Sequence, residues 1–221
     1  MIAFQDPDGF VAANTMLRPV PHVPEISIHV ADEALPIWEK TEEELGEIGL
    51  PPPFWAFAWA GGQAMARYVL DNPHLVAGKK VIDFASGSGL VAIAARLAGA
   101  TSVLATDIDP ICRAAMDLNA RVNGVTFDID LTDITCEPSK GYDVICAGDV
   151  FYEAEMAQNI MTWLTSEHKR GAKVFVGDPG RSYLPKDRLT KVADYQVPVT
   201  RTLEDSDIKA TSVWTLRAEA A

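Results

Sequence analysis

Asp83, Asp107, Asp133 and Asp149 stand at or just beyond the ends of apolar runs, where a folded sheet delivers side chains to its edge. Asp83 closes Val81-Ile82, and Asp107 follows Val103-Leu104-Ala105-Thr106. Between them lies Ser86-Gly87-Ser88-Gly89, followed by Leu90 to Leu97, a stretch of helical composition. Glycines let the backbone approach a ligand closely, and a helix N-terminus offers unpaired N–H donors. An acid past the second strand can accept hydrogen bonds from both hydroxyls of a ribose. The pairing points to a ligand with an adenosine end.

Gly87-x-Gly89-x-x-Ala92 also fits the dinucleotide pattern, with Asp107 near the expected distance. Asp83 argues against a nicotinamide cofactor, because a carboxylate at the strand's end faces a pyrophosphate badly. It suits a cationic ligand, such as the amino group and sulfonium of S-adenosylmethionine. No Tyr-x-x-x-Lys pair supplies a hydride-transfer acid. The expected cofactor contacts are therefore Asp83, Ser86, Gly87, Ser88, Gly89 and Asp107, with Thr132 or Asp133 placed to meet the adenine amino group.

The elements that must position these residues follow from periodicity. Strands are expected over 81–84, 103–105, 125–130, 142–148 and 172–177, alternating with helices over 63–70, 90–97, 110–119 and 153–168. That alternation predicts a parallel sheet with helices on both faces. A short helix is expected over 188–193, and strands 195–202 and 210–216 form a closing antiparallel hairpin. Upstream, prolines confine any helix to about residues 8–18, and Ile26–Val30 alternates as an edge strand. Pro36 to Glu47 reads as an acidic amphipathic helix, a solvated face or a dock for a basic partner. In Phe54-Trp55-Ala56-Phe57-Ala58-Trp59, extended backbone would place the rings at 55, 57 and 59 on one side. Those rings either pack in the core or, at Trp59, touch the cofactor. Residues 1–60 form an N-terminal extension with this aromatic ribbon, and 61–221 the ligand-binding core.

The chain has 221 residues, 19 basic and 31 acidic, for a formal net charge of −12. An acidic surface repels nucleic-acid phosphates, so no nucleic-acid partner is expected. Cys112, Cys136 and Cys146 lack metal or redox spacing, the histidines are scattered, and no metal is expected. No apolar run suits a bilayer and the first residues carry no basic leader, so a cytoplasmic protein without membrane contact is expected.

The order Asp83-x-x-x-Gly87-x-Gly89, Asp107 as a ribose acid, and Asp149-Val150-Phe151-Tyr152 at the end of the fourth strand resemble the class I, seven-β-strand methyltransferases. The last motif is similar to the Asp-x-Phe-Tyr signature of their protein-lysine branch. With Pro52-Pro53-Phe54-Trp55-Ala56-Phe57-Ala58-Trp59 and Gly61-Gly62-Gln63, the chain resembles the electron-transfer-flavoprotein β-subunit lysine methyltransferases, in a bacterial version, over about residues 25–216. Ribosomal protein L11 methyltransferases share the core but carry a large N-terminal substrate domain, which is not evident here. The resemblance implies a doubly wound, Rossmann-like α/β fold with a mostly parallel seven-stranded sheet. It also implies an S-adenosylmethionine-dependent protein-lysine N-methyltransferase that releases S-adenosylhomocysteine. The implied protein substrate is the flavoprotein β-subunit, with a ribosomal stalk protein as a further target. Phe151 and Tyr152 are assigned to a lysine pocket, and Asp149 to the lysine amine or the cofactor's methionine end. The alternatives are a small-molecule methyltransferase and a non-catalytic adenosyl-binding protein that docks a partner through residues 36–47.

Overall fold

The computed structural model describes residues 6–31, 52–136, 138–139, 141–200 and 206–217. Helix α1 (Pro7–Ala13) has Asp6 as its N-cap, accepting from the Gly9 N–H. It stops at Ala13, short of the expected limit of 18, because Met16–Val20 is strand β1, paired antiparallel with β2 (Val23–Val30). The acidic segment expected over 36–47 lies outside the described residues.

A 3-10 turn over Phe54–Ala56 leads into α2 (Ala60–Asp71). Then follow β3 (Lys80–Phe84), α3 (Leu90–Leu97), β4 (Ser102–Thr106), α4 (Cys112–Val122) and β5 (Asp128–Asp130). The chain continues through β6 (Val144–Gly148), α5 (Ala154–Lys169), β7 (Lys173–Asp178), β8 (Leu189–Pro198) and β9 (Ile208–Leu216). In place of the expected helix over 188–193, Arg188 ends a 3-10 turn (Lys186–Arg188) and residues 189–193 are the first half of β8. Leu189 to Pro198 pairs with Leu216 to Ile208, with a register shift at Lys191/Ala193, and this pairing overrides the weak local helix preference.

The seven-stranded sheet has the order β5-β4-β3-β6-β7-β9-β8. Strands β3 to β7 are mutually parallel, and β9 runs antiparallel to β7 and to β8. Helices cover both faces, and the strands show it residue by residue. Val81, Val144, Cys146 and Phe175 join the core under α2, α3 and α4, which also holds Val20, Ile26 and Ile28 of the β1–β2 ribbon. Ile82, Ile145, Ala147, Val174 and Val176 join the core under α5. Such alternating apolar residues on both faces are what a sheet buried on both sides requires.

Register then fixes where the loops emerge. Phe84 lies opposite Thr106 and Ala147, Thr106 opposite Asp130, and Gly148 opposite Gly177. The segments beginning at Ala85, Asp107, Leu131, Asp149 and Pro179 therefore leave one edge together, the carboxyl edge where ligands of such sheets sit. The β1–β2 ribbon is fastened by Asn119 of α4 and by Asn123, its C-cap. Asn119 accepts from the His29 N–H at 2.8 Å and donates to the Ser88 carbonyl at 2.8 Å, while Asn123 exchanges hydrogen bonds with both backbone groups of Ser27. Among the described residues no helix is long and apolar enough to cross a membrane.

Candidate active site

The carboxyl edge surrounds a cavity of about 710 Å³, reached by Asp83, Ser86, Gly87, Asp107, Asp149 and Arg181 among others. Gly87 (φ 53°) and Gly89 (φ 82°) hold left-handed backbone in the turn after β3, a conformation that L side chains resist. Gly89 is the N-cap of α3 and supplies no side-chain acceptor.

The acceptor comes from the strand. Asp83 is 2% exposed, and its Oδ2 accepts from the Ala92 N–H at 2.9 Å, in the first turn of α3, and from the Ser86 hydroxyl. A carboxylate there complements the positive end of the helix. Burial nevertheless dominates and, assisted by the charge of Asp107, lifts the Asp83 pKa to about 7 against the lowering pull of its hydrogen bonds to Ser86 and Ala92. Asp107 fastens the glycine turn from the other side. Its Oδ2 accepts from the Gly87 N–H at 2.8 Å and its Oδ1 from the Asp109 N–H at 3.1 Å. Ile108, 75% exposed, stands between two acids and lines the cavity, an apolar surface that water alone does not explain.

Thr132 and Asp133 also reach the cavity, in a loop of local side-chain turns. Thr132 donates to Asp130 Oδ1 through its hydroxyl at 2.8 Å, and Asp133 accepts from the Thr135 hydroxyl at 2.6 Å and N–H at 2.9 Å. Those bonds to Thr135 hold the Asp133 carboxyl below its ordinary range. Ser88 is 5% exposed and lines the cavity, while its carbonyl is tied to Asn119.

Asp149 occupies left-handed backbone (φ 56°), which aspartate tolerates better than most residues. Its Oδ2 accepts from the N–H groups of Gly61 and Gly62, at 2.5 and 3.1 Å, in the first turn of α2. Its Oδ1 accepts from Arg181 Nε at 3.0 Å and a terminal guanidinium nitrogen at 2.7 Å. Asp149 is thus a helix cap delivered from another strand, and both of its oxygens are engaged. Gly61 permits this, since a Cβ there would overlap the Gly177 carbonyl and crowd the Asp149 carboxylate.

The aromatic segment is not an extended ribbon. Phe54 N–H donates to the Pro52 carbonyl, the chain curls, and Trp55 turns into the core at 1% exposure while Phe54 faces out at 45%. Phe57 also packs in the core, whereas Trp59, tied to the Phe54 carbonyl at 2.9 Å through its indole N–H, faces the cavity. The ring of Phe54 meets Trp59 at 5.9 Å and Tyr152 at 5.8 Å, and the Arg181 guanidinium lies 5.6 Å from the Trp59 ring centre.

Tyr152, half exposed, is therefore at the rim of the cavity, but Phe151 is not. Phe151 is wholly buried in the core under α5, which corrects its assignment to a lysine pocket. Phe151 falls on the same face as Ile145 and Ala147, in the core under α5, while Tyr152 projects outward. Sequence reasoning missed Arg181, although Asp178-Pro179-Gly180-Arg181 follows a strand of this edge and carried the signal of a tight turn. Among the described residues, no group of three or more His, Cys, Asp or Glu is placed to hold a metal ion.

The sheet order and the cavity at its carboxyl edge define a class I methyltransferase. A family model for ribosomal protein L11 methyltransferase (PrmA) matches residues 64–172. Over 216 residues the chain is 36% identical to the electron transfer flavoprotein beta subunit lysine methyltransferase of Danio rerio, covering 95% of this chain and 83% of that protein. Among solved structures, ribosomal protein L11 methylase of Lactobacillus delbrueckii superposes with a TM-score of 0.56 at 19% identity, over 91% of this chain and 100% of that one. Magnesium protoporphyrin IX methyltransferase of Synechocystis, with bound SAM, gives 0.51 at 14% identity, over 71% and 78%. The chain belongs to the family of electron transfer flavoprotein β-subunit lysine methyltransferases.

Proposed function

We propose that this enzyme uses S-adenosylmethionine to methylate lysine side chains of the electron transfer flavoprotein β-subunit. The observation that carries the proposal is one continuous cavity with a polar, acid-lined floor and an aromatic mouth, in a chain of this family. The floor suits the cofactor. Asp107 stands beside the glycine turn, where ribose hydroxyls would be accepted, and Ile108 offers its exposed side chain to an adenine face. Thr132 and Asp133 are the polar groups for the adenine amino group, and the buried Asp83 complements the cationic methionine end. When bound, S-adenosylmethionine supplies an electrophilic methyl group on a sulfonium leaving group.

The chain's own part is to bring in a neutral amine and exclude water. A lysine ammonium has an ordinary pKa of about 10.4, so it must lose a proton to water before it attacks. Phe54, Trp59 and Tyr152 form an aromatic mouth that can hold a cation by its ring faces yet penalises full desolvation of the charge. Asp149, with its oxygens on Gly61, Gly62 and Arg181, positions the start of α2 against the mouth and is not a general base. The similarity to L11 methyltransferases favours a second acceptor, a ribosomal stalk protein.

The test is to incubate the purified enzyme and radiolabelled S-adenosylmethionine with each purified acceptor. Label on the flavoprotein β-subunit, abolished by Asp107→Ala together with cofactor affinity, is expected. Label confined to small molecules would replace the proposal with a small-molecule methyltransferase. Tight cofactor binding without transfer to any acceptor would favour a docking protein.

A further inference from the structure

The charges around the cavity are lopsided. Asp83, Asp107, Asp109 and Asp133 line its cofactor end, and Asp149, Glu153 and Glu155 its mouth, where Tyr152 is the remaining titratable group. Arg181 is the only basic side chain among the described residues that line it. Its placement is built. Asp178, 1% exposed, accepts from the N–H groups of Gly180 and Arg181 at 2.6 and 2.7 Å and so fixes the turn that aims the guanidinium. The side chain then lies along Trp59 and makes a two-nitrogen contact with one oxygen of Asp149. Lys186, the other cation near this turn, stands beside Gly180 and is not part of the cavity lining.

Resting on the lysine methyltransferase reading, we propose that Arg181 is a positioning residue that neutralises Asp149, so that the acceptor amine meets a pair without net charge. A bare carboxylate at that position would hold a lysine as its ammonium, because an opposite charge within a few ångströms favours the charged form. It would bind the substrate and keep it unreactive. With Arg181 in place the carboxylate keeps its cap on α2, and its charge is spent on the guanidinium. The amine loses its proton to water and attacks as the neutral form: the new N–C bond forms from its lone pair, and the C–S pair leaves with sulfur. Arg181 takes no part in that exchange. Its contribution is electrostatic.

The experiment is the pH dependence of transfer from labelled S-adenosylmethionine to purified flavoprotein β-subunit by four enzymes: wild type, Arg181→Gln, Arg181→Lys and Asp149→Asn/Arg181→Gln. Arg181→Gln is expected to move the rising limb of kcat to higher pH by about one unit while KM for the protein falls or stays constant. Arg181→Lys, which keeps the charge, and the double variant, which removes both charges, are expected to return the limb to the wild-type position at reduced rate. Loss by the same factor at every pH in Arg181→Gln and the double variant would show a purely structural arginine and overturn the proposal. An undisplaced limb in Arg181→Gln would overturn it as well. Absence of transfer by the wild type would remove the substrate reading, and this proposal with it, and is distinguished from the other outcomes by the wild-type control alone.

Discussion

Replacing Asp149 by Ala tests the geometry at the start of α2. The substitution removes an acceptor of two N–H groups in the first helical turn and the partner of Arg181. An N-cap is worth about 1 kcal/mol, and removing one member of a buried ion pair costs about 3–5 kcal/mol. The Arg181 side chain is 21% exposed, so water recovers part of that loss. A net destabilisation of about 3 kcal/mol follows, and at this chain length each kcal/mol moves Tm by about 2–4 °C, giving a fall of about 6–12 °C. Asp149→Asn keeps an amide oxygen for Gly61 and Gly62 but loses the charge and turns an amide N–H donor toward Arg181, so a fall smaller than that of the alanine variant is expected. Calorimetry or thermal unfolding followed by circular dichroism, on the cofactor-free proteins, reads both. A Tm for Asp149→Ala within about 2 °C of wild type would show that the carboxylate does not hold the start of α2.

Gly61→Ala puts a methyl into the Gly177 carbonyl, an overpacking expected to cost about 1–3 kcal/mol by urea unfolding, while Gly62→Ala, with open space around its Cβ, costs much less. Phe151→Ala empties a buried ring site and should cost about 3–5 kcal/mol, whereas Tyr152→Ala should leave unfolding near wild type and reduce transfer. For Asp83 the sign is set by a pKa of about 7 in the folded protein against an ordinary value of 3.8. The folded state therefore holds the proton more tightly than the unfolded state, so this contribution to stability is complete below the ordinary pKa and is lost as pH rises through about 7. Asp83→Asn should become increasingly stable relative to wild type between pH 5 and pH 8 in urea titrations; a pH-independent difference would contradict the buried carboxylate.

The parallel strands, the helices between them and the closing hairpin were legible because their signals are local: apolar runs ending in turns, and helical composition between them. The acids were located but their partners were not. Asp83 caps α3 from the preceding strand, and Asp149 caps α2 across a separation of 88 positions, pairings that no local pattern contains. Phe151 was placed in the pocket by the resemblance of the Asp-x-Phe-Tyr motif, whereas the side-to-side alternation that buries Ile145 and Ala147 under α5 carries Phe151 there too. The 188–193 segment was misassigned because a bulged edge strand has a burial pattern without a clean period of two. Arg181 has meaning only once β6 and β7 are adjacent, which brings residues 149 and 181 together.

Under the proposed function, the cavity at the carboxyl edge receives a lysine of the flavoprotein β-subunit, which is methylated there. Mass spectrometry of that subunit, digested after incubation with the enzyme and S-adenosylmethionine, tests it directly. Methyl groups confined to particular lysines, and diminished when Tyr152→Ala replaces the wild-type enzyme, are the expected result. An unmodified β-subunit, with the enzyme folded and the cofactor bound, would rule this substrate out.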